Sequence, residues 1–545
     1  MSDQAPWVDG LTIDEVLQRT SQRFGDRDAL VFPALGKRWS YSQFNREVDR
    51  AARGLLGLGL GRGDHVAIWA TNVPEWVILQ MASARIGAVL VTVNPAYRVR
   101  ELIYTLQQSD AAALFLVDRF KSSDYHAMLL EACPELQSGS PGKLKCAQFP
   151  HLGSVITLGD TRLCGALSWD EMLDGGCAEI PALDLKPGQP VNIQYTSGTT
   201  GLPKAALLTH RNLLLNAYYT GKSQRFGPQD RVCIPVPFYH CFGCVLGTLC
   251  CLVHGAAMVI PAQYFDPSAT LQAIEGEKAT AIYGVPTMFI AMLEELKRNP
   301  RQTGSLRTGI MAGSPCPMEV MRQVIRSMGA GQMTIAYGLT EASPVLTQTQ
   351  VDDPIDVRVE TVGRAIPGVR IRIVDPLSRA QVEEGQQGEL CARGHGVMLG
   401  YYKDPQATRE AIDEEGWLRT GDLALRRPDG CYSITGRIKD MLIRGGENIY
   451  PREIEEFLFT HPAVEQVAAV GLPDPKFGEE LCIWIQLCDG QRADAEEIRR
   501  FCKSHLAHYK CPRYVRFVKK FPQTVTGKIQ KFKIRQQMIA ELGLE

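Results

Sequence analysis

The stretch "IQYTSGTTGLPK", residues 193–204, places four small hydroxyl residues, two glycines and a lysine directly after an apolar run. Glycines let the backbone approach a ligand closely, and consecutive N–H groups with neighbouring hydroxyls form a concave donor site for an anion. Lys204 adds a positive charge, so a polyphosphate suits this loop best. The loop is not a Walker A motif, because G-x-x-x-x-G-K-[ST] cannot be aligned on Gly198, Gly201 and Lys204. A surface loop rich in turn residues is the alternative.

Four later stretches carry further residue types that suit phosphate and nucleotide chemistry. They are "YGLTEAS" (337–343), "GWLRTGDLA" (416–424), "GRIKDMLIRGGENIYPREIE" (436–455) and "PQTVTGKIQK" (522–531). The first contains the carboxylate of Glu341, the second places Asp422 in a glycine turn, and the last places Lys528 after a glycine. In isolation, a turn aspartate and a solvated lysine are the ordinary interpretations of Asp422 and Lys528.

Composition limits the class of protein. The chain has 545 residues, of which 45% are hydrophobic and 22% charged, so we expect two or more domains. Its net charge of −1 provides no overall attraction to nucleic acid or to an anionic membrane. The tail is rich in Lys and Arg but lacks aromatic interleaving, and we expect no nucleic-acid partner. The sixteen cysteines are scattered and the N-terminus lacks a secretory pattern, which favours reduced thiols and a cytoplasmic location.

Apolar runs that alternate with amphipathic stretches must position these residues. "HVAIWA" (65–70), "PEWVILQMASARIGA" (74–88) and "AVLVTVN" (88–94) predict a strand, a helix and a strand. This alternation is typical of a parallel α/β sheet. Residues 361–436 are rich in glycine and short apolar runs, which indicates β structure, and the tail from about residue 439 predicts a small α+β domain.

One stretch, residues 242–262, has nearly the length and apolarity of a membrane span. His254 and Gly255 interrupt it and Pro261 ends it. We therefore predict a buried helix from Val245 to Val253, a turn and a buried strand from Ala257 to Ile260, and no transmembrane segment.

Taken in order, the five stretches resemble the adenylate-forming superfamily of acyl- and aryl-CoA synthetases, luciferase and peptide-synthetase adenylation domains. The resemblance extends from about residue 12 to residue 537. "NPAYR" (94–98), "AGSPCP" (312–317) and "AYGLTEASPV" (336–345) carry a closer likeness to medium-chain fatty acyl-CoA synthetases. The resemblance to the superfamily implies an α/β fold with two domains. Residues 1–438 would form a large N-terminal domain of parallel-rich sheets, helices and a β-rich subdomain, and residues 439–545 a small mobile α+β domain.

The resemblance also implies the reaction. A carboxylic acid attacks the α-phosphate of ATP with Mg²⁺, pyrophosphate leaves, and coenzyme A then takes the acyl group as AMP leaves. Because one anion must approach another, the demand on the protein is electrostatic neutralisation and positioning. We expect carboxylic acid and coenzyme A as small-molecule partners, and a homodimer is left open.

The resemblance assigns roles in the large domain. The β- and γ-phosphates would contact Thr196, Ser197, Gly198, Thr199, Thr200, Gly201 and Lys204. The adenine and α-phosphate would contact Gly313, Ser314, Pro315, Tyr337, Gly338 and Thr340. Glu341 would bind Mg²⁺ with Thr196, in keeping with the oxygen ligands that this cation prefers. A buried core aromatic is the alternative for Tyr337.

Further roles fall near the C-terminus. Asp422 and Arg437 would bind the ribose, and Lys528 would bind the carboxylate and α-phosphate during adenylation. Lys439 matches the hinge about which the small domain rotates, and Gly445 and Gly446 would face the pantetheine.

His240 matches an aromatic position beside the substrate carboxylate, although a lone histidine is usually a packed residue. The expected acyl pocket is lined by Cys241, Phe242, Val245, Ser343, Pro344 and Val345. Residues 238–249 contain no Asp or Glu, which argues against an amino-acid substrate because its ammonium would need a carboxylate partner. Cys241 and Cys244 resemble a zinc pair, but no second pair follows at finger spacing, so we expect no metal there.

We therefore predict an acyl-CoA ligase that acts on a medium-chain fatty acid. An aryl-CoA ligase and a stand-alone adenylation enzyme that loads a carrier protein are left open, as is a binding protein that retains the nucleotide fold without turnover.

Overall fold

The structure is a computed structural model that describes residues 5–196, 203–314, 316–445, 447–524 and 527–544, without the side chain of residue 448. The chain divides into two compact units. One comprises Met1–Val359, Ala365–Arg370 and Arg393–Leu418, and the other comprises Glu360–Arg364, Ile371–Ala392 and Arg419–Glu545. We call them the first and second unit. The predicted division at residues 438 and 439 stays a prediction.

The first unit contains two large sheets whose pairings are mostly parallel. In one, the strands follow the order Val345–Gln348, Gln332–Gly338, Thr308–Ala312, Ala281–Gly284, Arg231–Cys233, Ala257–Val259, Asp28–Phe32 and Lys37–Ser40. In the other, the order is Gly400–Tyr401, Lys204–Thr209, Pro190–Thr196, Val89–Thr92, His65–Trp69, Ala111–Leu116, Ser154–Thr157 and Leu167–Ser168. The predicted α/β fold with parallel-rich sheets is confirmed.

Helices connect these strands. In the first unit they span Ile13–Phe24, Tyr41–Gly57, Pro74–Ile86, Val99–Gln108, Tyr125–Ala132, Trp169–Asp174, His210–Ser223, Cys250–His254, Pro267–Glu277, Pro286–Arg298, Met318–Met328, Ile355–Glu360 and Pro405–Ala411. Local chemistry explains their ends. Pro74 occupies the first turn of its helix and Gly87 ends that helix in the left-handed conformation, with φ of 74°. The predicted helix 74–88 and strand 88–94 are thus confirmed, with slightly shorter bounds.

The apolar stretch 242–262 folds into the predicted buried helix, turn and strand. Phe242–Leu249 forms wide π-helical turns that continue into the α-helix Cys250–His254, and the strand Ala257–Val259 follows. A Cβ at Gly243 would lie 2.3 Å from the carbonyl oxygen of Pro237, so only glycine fits this close approach. Among the helices that the structure describes, none has both the length and the apolar composition needed to cross a membrane.

The second unit contains a β-rich part and a small α+β part. The strands Val369–Val374, Gly388–Gly394, Leu418–Arg426 and Tyr432–Arg437 form one sheet in that order. A further sheet contains Glu447–Ile449, Leu442–Arg444, Gly478–Leu487, Val464–Asp474 and Tyr514–Phe517. The helices are Pro451–Leu458, Ala495–Lys503 and Lys531–Leu542. The β structure predicted for residues 361–436 and the predicted α+β tail are both confirmed.

Two apolar clusters enclose the sheet of the α+β part. Val467 and Ala469 belong to one cluster, together with Ile454 and Leu458 of a helix. The alternate residues Ala468 and Val470 belong to the other, as do Ile534 and Met538 of the C-terminal helix. This period of two follows from the opposite orientation of successive side chains in a strand, and it places helices on both faces.

Candidate active site

A hairpin of the first unit carries the ends of the predicted phosphate-binding loop. Its two strands are antiparallel, and Thr196 lies opposite Lys204 in their register. The Thr196 hydroxyl donates to the Lys204 carbonyl oxygen at 3.4 Å. Ser197, Gly198, Thr199, Thr200 and Gly201 lie outside the described residues, so their phosphate role stays a prediction. The hairpin therefore fixes where the loop begins and ends.

Glu341, Tyr401 and Lys204 converge beside this hairpin. The Tyr401 hydroxyl donates to Glu341 Oε1 at 2.7 Å, and the Lys204 ammonium lies 5.0 Å from the centroid of the Tyr401 ring. Burial raises the pKa of Tyr401, and the negative charge of Glu341 raises it further, so the phenol stays a hydrogen-bond donor. This arrangement, the Glu341–Tyr401–Lys204 cluster, joins a carboxylate to a cation through one aromatic ring.

Tyr401 reaches the cluster from a short edge strand. Gly400–Tyr401 pairs with Lys204–Thr209, and Tyr401 lies opposite Ala206. The Met398 N–H donates to the Glu341 carbonyl oxygen at 2.9 Å, so the same segment also holds the Glu341 backbone. Tyr401 was not among the site residues predicted from the sequence. In the sequence, it is only an aromatic residue after Gly400. Its place at the site becomes recognisable once the pairing of Gly400–Tyr401 with Lys204–Thr209 is known.

The turn that carries Thr340 and Glu341 is held by a buried asparagine, Asn216. The turn spans Thr340–Ala342 and follows the strand Gln332–Gly338. Asn216 Nδ2 donates to the carbonyl oxygens of Ala342 at 3.3 Å and Val345 at 2.8 Å, and its Oδ1 accepts from the Val345 N–H at 3.1 Å. Asn216 has no exposed surface. Like Tyr401, it was not among the residues predicted from the sequence. It acts as a positioning residue for Glu341.

The predicted adenine-binding residues follow two paired strands. Ala312 lies opposite Ala336 in parallel register, which places Gly313 and Tyr337 next to each other along the same sheet edge. Ser314 is exposed beside them, and Pro315 lies outside the described residues. A Cβ at Gly338 would lie 1.8 Å from the Pro344 carbonyl oxygen, so the tight return of the chain requires glycine there. The structure thus brings together the described members of this set.

The predicted acyl-pocket segment packs against the same turn. Cys241, Phe242, Val245, Ser343 and Val345 are buried, whereas His240 is exposed. The Cys241 thiol donates to Gln194 Oε1 at 2.7 Å, and Gln194 Nε2 donates to the Cys244 sulfur at 2.7 Å.

The environment of Cys241 links this segment to the turn. Burial raises the pKa of Cys241, as does the negative charge of Glu341, while a hydrogen bond with Thr340 opposes the shift. The thiol therefore stays protonated, next to both Thr340 and Glu341, and the predicted apolar lining has a polar layer around Gln194.

The second unit brings together another set of predicted residues. Asp422 and Arg437 are opposite in the register of their hairpin, and Arg437 Nε lies 2.9 Å from Asp422 Oδ1. Asp422 is buried and Arg437 half-buried. Gly445 has φ of 60°, and its N–H donates to the Phe477 carbonyl oxygen at 2.8 Å, whereas Gly446 lies outside the described residues.

Lys528 lies close to this ion pair. Two hydrogen bonds hold its backbone: the Lys528 N–H donates to Thr524 Oγ1 at 3.0 Å, and the Thr524 N–H donates to the Lys528 carbonyl oxygen at 2.8 Å. The pKa of Lys528 is lowered to about 8, chiefly by desolvation of the ammonium and also by the charges of Arg437 and Lys439, against the opposing effect of Asp422. The residue keeps an exposed surface, so this ammonium is partly desolvated rather than enclosed.

Comparison with known proteins decides the family. The AMP-binding enzyme family matches residues 17–402, and the AMP-binding enzyme C-terminal domain matches residues 453–528. The chain belongs to the AMP-binding enzyme family. The predicted membership of the adenylate-forming superfamily is confirmed.

Relatives of known name support the enzyme class. "Putative acyl-CoA synthetase YngI" of Bacillus subtilis strain 168 is 51% identical over 539 residues, which cover 98% of each chain. The mitochondrial medium-chain acyl-CoA ligase ACSF2 of Danio rerio is 43% identical and covers 98% of this chain and 89% of that protein. These AMP-binding relatives confirm the predicted class, an AMP-forming acid–thiol ligase.

Solved structures agree with the fold. ATP-bound MatB from Rhodopseudomonas palustris has a TM-score of 0.83 at 28% identity, covering 97% of this chain and 99% of that one. The anthranilate CoA ligase AuaEII in complex with anthranoyl-AMP has a TM-score of 0.87 at 25% identity and full coverage of both chains. Solved structures with this fold thus hold ATP in one case and anthranoyl-AMP in the other.

Proposed function

We propose that the protein is an ATP-dependent ligase that activates a medium-chain fatty acid as acyl-AMP, releases pyrophosphate and transfers the acyl group to coenzyme A. The observation that carries this proposal is the placement of Lys528 beside the Asp422–Arg437 pair. A cation there suits a carboxylate that must approach a phosphate, and the ion pair suits the nucleotide sugar.

The medium-chain preference rests on the ACSF2 relatives and on the apolar lining around Phe242, Val245 and Val345. Packing a long apolar acyl chain against the polar side chains around Gln194 would be unfavourable. We therefore expect the acid to be of limited length rather than a long fatty acid. Cytoplasmic location and a homodimer remain predictions from sequence.

The site roles belong to the same proposal. In the first unit, Thr196 and Lys204 contact the polyphosphate, Gly313 and Tyr337 the adenine, and Thr340 the α-phosphate. In the second, Lys528 neutralises the reacting anions, Lys439 is the hinge, and Gly445 faces the pantetheine. We further propose that residues 1–438 and 439–545 act as the two domains of this reaction.

Mg²⁺ fits the Glu341 carboxylate. Tyr401 donates to one carboxylate oxygen, and a carboxylate has about four lone-pair positions, so acceptor capacity remains for a hard cation. Thr196 adds a hydroxyl oxygen at the start of the loop. When bound, Mg²⁺ would offset phosphate charge. Tyr401 fixes the orientation of the Glu341 carboxylate, and Lys204 contributes a further positive charge.

An aryl-CoA ligase is a second candidate, favoured by the likeness to AuaEII. One experiment separates the two: pyrophosphate release and CoA-ester formation are measured over acids from acetate to palmitate and over aryl acids. We expect the highest kcat/KM with medium-length fatty acids. A maximum with an aryl acid would favour the second candidate, and acyl transfer to a phosphopantetheinylated carrier but not to coenzyme A would contradict both.

A further inference from the structure

Three metal-ligating side chains converge outside the site described above, at the end of the helix Tyr125–Ala132. Cys133 follows that helix, Glu135 lies on the 3-10 turn Pro134–Ser138, and Cys146 comes from the loop beyond. Their ligand atoms, two sulfurs and one carboxylate oxygen, all lie within 4.8 Å of one another. None of the three is among the residues predicted for the ligase reaction.

The spacing of these atoms suits a tetrahedral metal. The Cys146 sulfur lies 3.5 Å from Glu135 Oε2. Zinc binds sulfur at about 2.3 Å and carboxylate oxygen at about 2.0 Å, so a tetrahedral angle separates the two ligand atoms by about 3.5 Å. The Cys146 sulfur and the Glu135 oxygen are therefore already at the separation that tetrahedral zinc requires. Binding requires only small side-chain movements.

Backbone hydrogen bonds hold the two cysteines in place. The Cys133 N–H donates to the Leu129 carbonyl oxygen at 2.8 Å, and the Cys133 carbonyl oxygen accepts from Leu136 at 3.2 Å. The Cys146 carbonyl oxygen accepts from the Phe149 N–H at 3.1 Å. Because both positions are fixed by local turns, the loss of conformational entropy on binding a metal is small.

Burial differs among the three ligands in a way that favours entry of an ion. Cys133 has 0% and Cys146 5% of its surface exposed, whereas Glu135 is exposed. An ion can therefore approach from the side of the exposed carboxylate and meet two thiols that are shielded from solvent. Thiolates are soft ligands that select zinc over the hard cation Mg²⁺, so the site is chemically separate from the one expected at Glu341.

We propose that Cys133, Glu135 and Cys146 bind one Zn²⁺ ion, with water in the fourth position. Binding converts two thiols to thiolates and releases two protons to solvent, one of which is the proton that Cys146 now donates to Glu135. The ion connects the end of a helix to the following loop, so it stabilises this part of the first unit. No electron transfer is involved.

The test is zinc titration of the full-length, reduced protein without nucleotide, monitored by calorimetry and by Co²⁺ absorption. We expect one ion per chain and a thiolate-to-cobalt charge-transfer band. Cys133→Ser and Cys146→Ser should each weaken binding more than about 100-fold, beyond the 10- to 100-fold typical of changes to outer-shell partners. Glu135→Gln should weaken it less, because both thiolates remain.

A matched control is Cys164→Ser. Cys164 is an exposed cysteine whose thiol donates to the Gln137 carbonyl oxygen at 3.2 Å, on the same turn as Glu135. This variant shows whether the loss of a nearby thiol that is not a proposed ligand also weakens zinc binding. We expect its zinc affinity to be unchanged. Thermal unfolding without zinc shows whether each variant is folded, and Zn²⁺ should raise the midpoint of wild type but not of Cys133→Ser.

Two results would overturn the proposal. One is equal zinc stoichiometry and affinity in wild type and in the double variant Cys133→Ser/Cys146→Ser. The other is a Cys133–Cys146 disulfide that mass spectrometry finds in the protein as purified under reducing conditions, since a redox pair would then explain the convergence.

Discussion

The two units hold their proposed catalytic charges in different ways. In the first unit, Glu341 is fixed by Tyr401, and its turn is fixed by the buried Asn216, both distant in sequence. In the second, Asp422 and Arg437 meet through the register of one hairpin, and the Lys528 backbone is held by hydrogen bonds to nearby Thr524. Tertiary contacts therefore hold the first group and local structure holds the second. Substitutions in the first should affect both stability and activity, and those in the second mainly activity.

The largest expected effect is that of Lys528→Ala. A preorganised ammonium contributes on the order of 3 kcal/mol to a charged transition state, so we expect carboxylate-dependent pyrophosphate release to fall more than about 100-fold. Formation of the CoA ester from supplied acyl-AMP should change far less. The free energy of unfolding should stay within about 0.5 kcal/mol of wild type.

The matched control for Lys528 is Lys533→Ala, which removes an exposed lysine of the C-terminal helix without touching the ion pair. It should leave both half-reactions at the wild-type rate. Equal losses of activity in the two variants would remove Lys528 from its proposed role.

Glu341→Gln should be nearly as severe. The amide keeps the shape of the side chain but removes the negative charge that suits Mg²⁺, so we expect adenylation to fall roughly 100-fold. The Mg²⁺ concentration needed for half-maximal rate should rise. An unchanged Mg²⁺ dependence would show that the cation is held elsewhere.

The pH dependence tests the charge of Lys528 itself. Its pKa is lowered from the ordinary value of lysine to about 8, so the free enzyme loses the ammonium as pH rises through 8. The kcat/KM for pyrophosphate release should fall about tenfold per pH unit above that point. Lys528→Arg should move the decline to higher pH. A profile that is flat to pH 10 in wild type would contradict the assignment.

Tyr401→Phe should reduce adenylation about tenfold, because a hydrogen bond to a charged group contributes about 1.5 kcal/mol or more. The ring and its contact with Lys204 remain, so the change isolates the hydroxyl. Thermal unfolding should show a loss of about 1.5 kcal/mol in the free energy of unfolding. Full activity in this variant would mean that Glu341 is positioned by its backbone alone.

Asn216→Ala should have the smallest effect on rate and the largest on stability. It leaves three buried backbone groups without their partner, and we expect the free energy of unfolding to fall by about 2 kcal/mol or more. Asn216→Asp keeps the acceptor for the Val345 N–H, so its free energy of unfolding should fall by less. Denaturant unfolding of both variants checks this order, and a neutral Asn216→Ala would contradict the role of tertiary contacts in the first unit.

Much of the fold was predictable because local patterns decide it. The strand His65–Trp69, the helix Pro74–Ile86 and the helix-turn-strand after Phe242 follow from apolar runs and from Pro and Gly at their ends. Tyr401 and Asn216 were not predictable, because their partners are brought together by strand pairing and packing across long separations in sequence. The pairing of Asp422 with Arg437 was suggested only by resemblance, because the register shift between Leu423 and Ala424 in that hairpin has no signal in the sequence.

In the proposed reaction, this chain joins a carboxylate oxygen to the α-phosphate of ATP. The most direct test uses a medium-length acid labelled with oxygen-18 in its carboxylate, with ATP and coenzyme A in full turnover. We predict that the AMP produced carries one labelled oxygen, because the acyl–phosphate bond breaks on the acyl side when the thiol attacks. Label in phosphate or pyrophosphate, with none in AMP, would exclude acyl-AMP as the intermediate.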